Sequence, residues 1–126
     1  MSYQAHNAVG LTTTQLLTPA SAANTAAATS TGVDVSEYEG TLSFIQSVGA
    51  VTAGSITGKI VTADASDLSS SSDVDTFAAI TTSNDPATET IHIQCSALKK
   101  YVGYVGTIVT GPAVVGVAMI GSKATV

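Results

Sequence analysis

Apolar residues recur along this chain in short runs with a period of two. Leu42, Phe44, Gln46 and Val48 fall on one side of an extended segment, and Thr41, Ser43, Ile45 and Ser47 on the other. That alternation predicts a half-buried strand anchored by Phe44. Ile56, Gly58 and Ile60 alternate with Thr57, Lys59 and Val61, a second strand thinned by Gly58. Val33 and Val35 flank Asp34. Ile91, Ile93 and Cys95 face away from His92 and Gln94. Residues 11–17 read as a short strand stopped by Pro19.

Two later runs break the alternation. In residues 101–110, Val102, Tyr104 and Ile108 share one face, and Tyr101, Val105 and Val109 share the other. Residues 113–120 are also apolar on both sides. Such strands are central in a sandwich or covered by a partner.

The breaks carry turn chemistry. Residues 36–40 predict a turn with Gly40 free to take positive φ, and residues 49–54 a connection. Ser83-Asn84-Asp85-Pro86 and Gly111-Pro112 predict reversals. Leu98 is expected to plug the core edge. Residues 62–75 hold Asp64, Asp67, Asp73 and Asp75 around four consecutive serines and read as a solvated loop. Residues 20–31 are almost all Ala, Ser and Thr with no amphipathic stripe, which predicts a loop or an irregular strand against a neighbour. At least six strands at short spacing predict an all-β fold: a compact antiparallel β-sandwich, jelly-roll-like. The chain divides into an extended N-terminal arm, residues 1–30, and a sandwich domain, residues 31–126.

Composition narrows the classes of function. Asp, Glu, Lys and Arg make up 10% of the chain, against about 25% in typical soluble domains. Such a surface repels neighbours weakly and suits close packing against other proteins. The net charge is −5, there is no Arg, and the cations are Lys59, Lys99, Lys100 and Lys123. Without a basic stripe, neither nucleic acid nor an anionic membrane surface is an expected partner. The start lacks the pattern of a signal peptide, and no apolar run reaches the ~20 residues of a membrane helix. The expected product is made in the cytoplasm and stays soluble until it assembles.

Candidate chemistry is sparse. Cys95 has no second cysteine to pair with, and its inward position predicts a buried thiol rather than a nucleophile. His6 and His92 lie beside no Cys or carboxylate motif. The four loop aspartates offer oxygens to a hard cation, but their spacing does not match an EF-hand and the required glycine is missing. No cofactor, metal or catalytic set is expected, so an enzyme is the weakest reading. Tyr38, Tyr101 and Tyr104 sit at strand starts and turns, where a ring with a polar tip suits either the core or an interface. Together with Val115 and Val117 they form the candidate interface set.

One stretch carries a resemblance. Gly-Val-Asp-Val-Ser-Glu-Tyr-Glu-Gly at residues 32–40 and Ala-Leu-Lys-Lys-Tyr-Val-Gly-Tyr-Val-Gly-Thr at residues 97–107 resemble small head decoration, or cement, proteins of tailed bacteriophages. The shared features are an Asp-x-Ser-x-Tyr-x-Gly lead into an early strand and a Leu-Lys-Lys-Tyr-Val strand near the end, followed by another apolar strand. The likeness spans residues 33–123 and departs from the family at the Ser-rich acidic loop. It implies a virion protein on the outer capsid surface. There it would be a homotrimer that clamps neighbouring copies of the major capsid protein. A tail or other virion component, and a β-sandwich module for a receptor or carbohydrate, are the alternatives.

Overall fold

The computed structural model describes the backbone of residues 12–23 and 27–123 and the side chains of residues 29–122. Ten strands build it: β1 (Thr12–Ala23), β2 (Ala27–Thr29), β3 (Val33–Asp34), β4 (Tyr38–Val51), β5 (Gly54–Ala63), β6 (Ser72–Thr76), β7 (Ile80–Thr81), β8 (Ala87–Gln94), β9 (Tyr101–Thr110) and β10 (Ala113–Lys123). A single 3-10 turn, Cys95–Ala97, follows β8.

All the pairings are antiparallel. One sheet runs β1-β10-β4-β8 and the other β2-β9-β5-β6, with β3 also on β9 and β7 also on β5. β2 and β3 are thus two pieces of one broken strand, and β6 and β7 of another. Counted that way there are eight strands. The first, eighth, third and sixth form one sheet; the second, seventh, fourth and fifth form the other. That order is a jelly roll, in which two Greek keys wrap one core.

The period-two reading of β4 holds: Leu42, Phe44, Gln46 and Val48 are all buried. Ile56, Gly58 and Ile60 likewise point inward. Val61 is buried as well, but on the opposite parity of β5: it stands across from Gly103 on the outer side, and the register shift beside it places the extra residue, Val74, in β6. In β9 the inward set is Val102, Tyr104 and Ile108; in β10 it is Ala113, Val115, Val117 and Met119.

A polar bridge joins the two sheets through this core. The Tyr104 hydroxyl donates to Gln46 Oε1 at 2.6 Å, with both side chains buried. Phe77 tilts against the Tyr104 ring at 6.3 Å. Gly58 and Gly106 make the room. A Cβ on Gly58 would lie 2.2 Å from Gln46 Oε1 and 2.3 Å from the Tyr104 hydroxyl. Burial pushes the Tyr104 phenol well above its ordinary range, so it stays a donor.

In the N-terminal segment the structure takes the strand alternative of the two read for residues 20–31: β1 continues to Ala23 with register shifts against β10, and Ala27–Thr29 forms β2 on β9. Pro19 does not stop β1. It falls in a register shift between Thr18 and Ser21, on an edge strand, where its missing N–H breaks nothing essential. Of the extended arm read for residues 1–30, residues 1–11 and 24–26 lie outside the described residues.

The acidic stretch also differs. Thr62 and Ala63 are buried at the end of β5, and Ser72–Thr76 forms β6. Thr62 Oγ1 donates to the Tyr101 carbonyl and accepts from Lys99 N–H, which satisfies it. Only residues 64–71 form a loop.

Candidate interaction surface

A sandwich offers a partner two outer faces and its sheet edges. On the four-stranded sheet, alternation turns Val114, Gly116, Ala118 and Ile120 of β10 outward. Ser43, Ile45, Ser47 and Gly49 of β4 point the same way, as do Thr88, Thr90, His92 and Gln94 of β8. Register sets these in rows across the sheet: Ile120–Ser43–His92, Ala118–Ile45–Thr90 and Gly116–Ser47–Thr88. No Asp, Glu, Lys or Arg occurs among them. The centre is apolar and the β8 side is hydroxylic.

A shallow groove of about 450 Å³ crosses this face, lined by Ile45, Ser47, Gly49, Val114, Gly116 and Ala118. Its floor is low because Gly49 and Gly116 have no side chains. The residues around it are only partly covered, and Val114 is 37% exposed. His92 Nδ1 and Ser43 Oγ lie 2.9 Å apart, and Gln94 Nε2 donates to Thr41 Oγ1, so the polar margin is ordered by its own cross-strand bonds.

One end of the other outer face is covered by the chain's own loop. Gly32 N–H donates to the Ser66 carbonyl at 2.8 Å, which draws residues 64–71 back over β3 and β9. Leu68 then lies where a Cβ on Gly103 would be, 2.4 Å from its Cδ1. Lys59 and Asp73 pair at 3.0 Å beside it, and Lys100 sits 5.5 Å from the Tyr101 ring centre. Val109 stays 58% exposed at the far end.

The residues selected from sequence separate on this frame. Tyr38, Tyr104, Val115 and Val117 are buried in the domain's own interior and present nothing to a neighbour. This corrects their place in the interface set; of the five, Tyr101 alone lies on an outer face, half-buried under the lysine. The physical reason is parity: β10 is apolar on both sides, and Val115 and Val117 took the inner one. The outward residues Val114, Ala118 and Ile120, with Ile45, were not selected.

The aspartates do not converge. Asp73 pairs with Lys59, Asp64 lies 3.9 Å from Lys99, Asp67 accepts the Ser69 N–H and Asp75 the Thr76 N–H. Among the described residues no three His, Cys, Asp or Glu side chains gather to hold a metal ion. Cys95 is half-buried in the 3-10 turn, and burial with the nearby Glu39 charge pushes its thiol pKa up, away from reactivity. No helix among the described residues is long and apolar enough to cross a membrane.

No family model matches the chain, and no curated protein does. Solved structures do. One belongs to a study of Bacillus endospore appendages, described as a family of disulfide-linked pili: TM-score 0.59, 9% identity, covering 90% of this chain and 88% of that one. Another is from infectious bursal disease virus, Gx strain: TM-score 0.45, 13% identity, covering 90% of this chain and 32% of that one. At such identities the likeness to the pilus protein is one of fold. No decoration-protein family is shown.

Proposed function

We propose that this chain is a structural virion protein that binds the outside of a phage capsid and stabilises it by clamping neighbouring capsid subunits. The outer face of the β1-β10-β4-β8 sheet is the contact surface. The observation that carries this reading is that face: an apolar centre around Ile45, Ala118 and Val114, a shallow groove, and no charged side chain at the outward positions from Thr41 to Gly49, Thr88 to Gln94 and Val114 to Ser122, with Glu39 standing at the start of β4 beyond them. Uncharged apolar surface costs little to desolvate against another protein. A protein that binds only the assembled shell stabilises it by mass action, without chemistry. The jelly-roll architecture and the phage-like motifs support the same reading. A carbohydrate module would want exposed rings, and among the described aromatic residues only Tyr101 is not buried.

The test mixes the purified chain with expanded capsids that lack it and measures co-sedimentation and shell melting. Binding with a raised shell melting temperature is expected. Ile45→Lys or Ala118→Lys should weaken binding about tenfold or more, because a lysine would be buried unpaired in the contact. No binding by the wild-type chain would sink the reading.

A further inference from the structure

The sheet edges are treated very differently. β1 carries Pro19 and two register shifts. β2 and β3 are three and two residues long. β6 has five residues, with Asp73 and Asp75 exposed and a register shift against β5, and β7 has two. Each of these carries a device that discourages a further strand.

β8 carries far less. It is eight residues long, has β4 as its only strand neighbour among the described residues, and pairs without a break from Ala87 opposite Val48 to Gln94 opposite Thr41. It holds no Pro, Lys or bulge. Along its outer side every second residue directs N–H and C=O away from β4, and among the described residues no other backbone bonds to them. Its one formal charge, Glu89, lies on the inward side of the strand and accepts the Ala78 N–H at 2.9 Å.

We infer that β8 is a docking edge for β8 of a second copy of this chain, paired antiparallel about a twofold axis through Thr90 and perpendicular to the sheet. Antiparallel partners share a face, so the axis must pass through a residue and not between two. Centring on Thr90 aligns the apolar rows Ala118–Ile45–Thr90 of both copies into one line. It sets Thr88 opposite His92, and Glu89 opposite Ile91, so no like charges stand directly opposed. The two outer faces then point the same way, and the uncharged surface doubles in extent. Self-pairing at β6 would instead crowd the aspartates of both copies.

The experiment is sedimentation equilibrium on the full chain over a range of concentrations. A monomer–dimer equilibrium is expected. Thr90→Lys places two like charges at the axis and should raise the dissociation constant about tenfold or more, with melting of the monomer unchanged. Thr107→Lys, on the other sheet's outer face, should leave it unaltered. Thr90→Cys, combined with Cys95→Ser, should cross-link on oxidation. A monomer at every concentration, a trimer, or a dimer indifferent to Thr90→Lys overturns the inference. So does an assembly that Thr90→Lys spares but deletion of residues 1–11 dissolves. This outcome is separable from shell binding. A dimer that ignores capsids keeps the edge and loses the proposed function, and a monomer that binds them does the reverse.

Discussion

The two outer faces start from similar strands and finish as opposite surfaces. Over β9 and β3 the chain supplies its own cover: Leu68 fills the space left by Gly103 and Gly32, and the Gly32–Ser66 bond pins the loop that carries it. Over β4 and β10 there is also a glycine gap, at Gly49 and Gly116, but the described chain folds no loop over it, and only the Val114 side chain borders Gly49. Charges divide in the same way. Lys59, Asp73 and Lys100 sit around the covered face, whereas outward positions from Thr41 to Gly49 and from Val114 to Ser122 carry none. The difference teaches that strand pattern alone does not decide which face meets a partner. Loops that fold back and the placement of a few charges decide it.

The harshest way to break the contrast is to remove what both faces share. Tyr104→Ala deletes a fully buried ring and orphans Gln46, and is expected to cost about 3–5 kcal/mol. Tyr104→Phe keeps the ring and removes only the hydroxyl, leaving Gln46 Oε1 without that partner; about 1–3 kcal/mol is expected. Chemical denaturation reads both. A Tyr104→Phe variant as stable as the wild type would mean that the bridge contributes little.

A milder break uncovers the protected face. Leu68 is half-buried, so Leu68→Ala should cost about 1 kcal/mol, less than full burial of a leucine is worth. It should also speed proteolysis within residues 64–71 while leaving β4 and β8 protected. Equal loss of protection on both faces would contradict independent covers. Smaller still is the effect on folding of one added charge. Ala118→Lys and Thr107→Lys should each change stability by within about 0.5 kcal/mol, although only the first should impair shell binding.

Much of the architecture was legible in the chain. The alternation through Leu42, Phe44, Gln46 and Val48 gave β4 its buried face directly, and Gly111-Pro112 marked the reversal into β10. What period two cannot settle is parity in a strand apolar on both sides. In β10 one parity offers Ala113, Val115, Val117 and Met119, and the other Val114, Gly116, Ala118 and Ile120. The sets differ mainly in bulk, Met119 against Gly116, which is a weak signal without the partner strand. Val115 and Val117 were therefore selected where Val114 and Ala118 face out. Residues 20–31 left a loop and an irregular strand both open for another reason. Short Ala, Ser and Thr runs carry no pattern of their own, and β1 and β2 exist because β10 and β9 offer them paired edges. Leu68 was hidden among serines, since its burial depends on two glycines far away in sequence.

The finest distinction between the faces lies in their response to acid. Asp34, at the end of β3, and Asp67, in the covering loop, have carboxyls held below the ordinary value near 3.8 by the N–H and hydroxyl groups of Ser36 and Ser69, respectively. A carboxylate depressed in the folded state contributes stability above its unfolded pKa and loses it as pH falls through the folded one. Both groups belong to the covered side, and the outward positions of β4, β8 and β10 between Thr41 and Ser122 carry no carboxylate. Hydrogen exchange in residues 64–71 should thus stay constant from about pH 7 to about pH 5 once corrected for intrinsic rates, and quicken below about pH 4. Amides of β4 should not follow until the whole domain opens. Asp67→Asn keeps an acceptor oxygen for the Ser69 N–H but cannot titrate, so it should flatten the acid response of the loop. If the loop of that variant still loosened at the wild-type pH, the turn carboxylate would not be what ties the cover to its face.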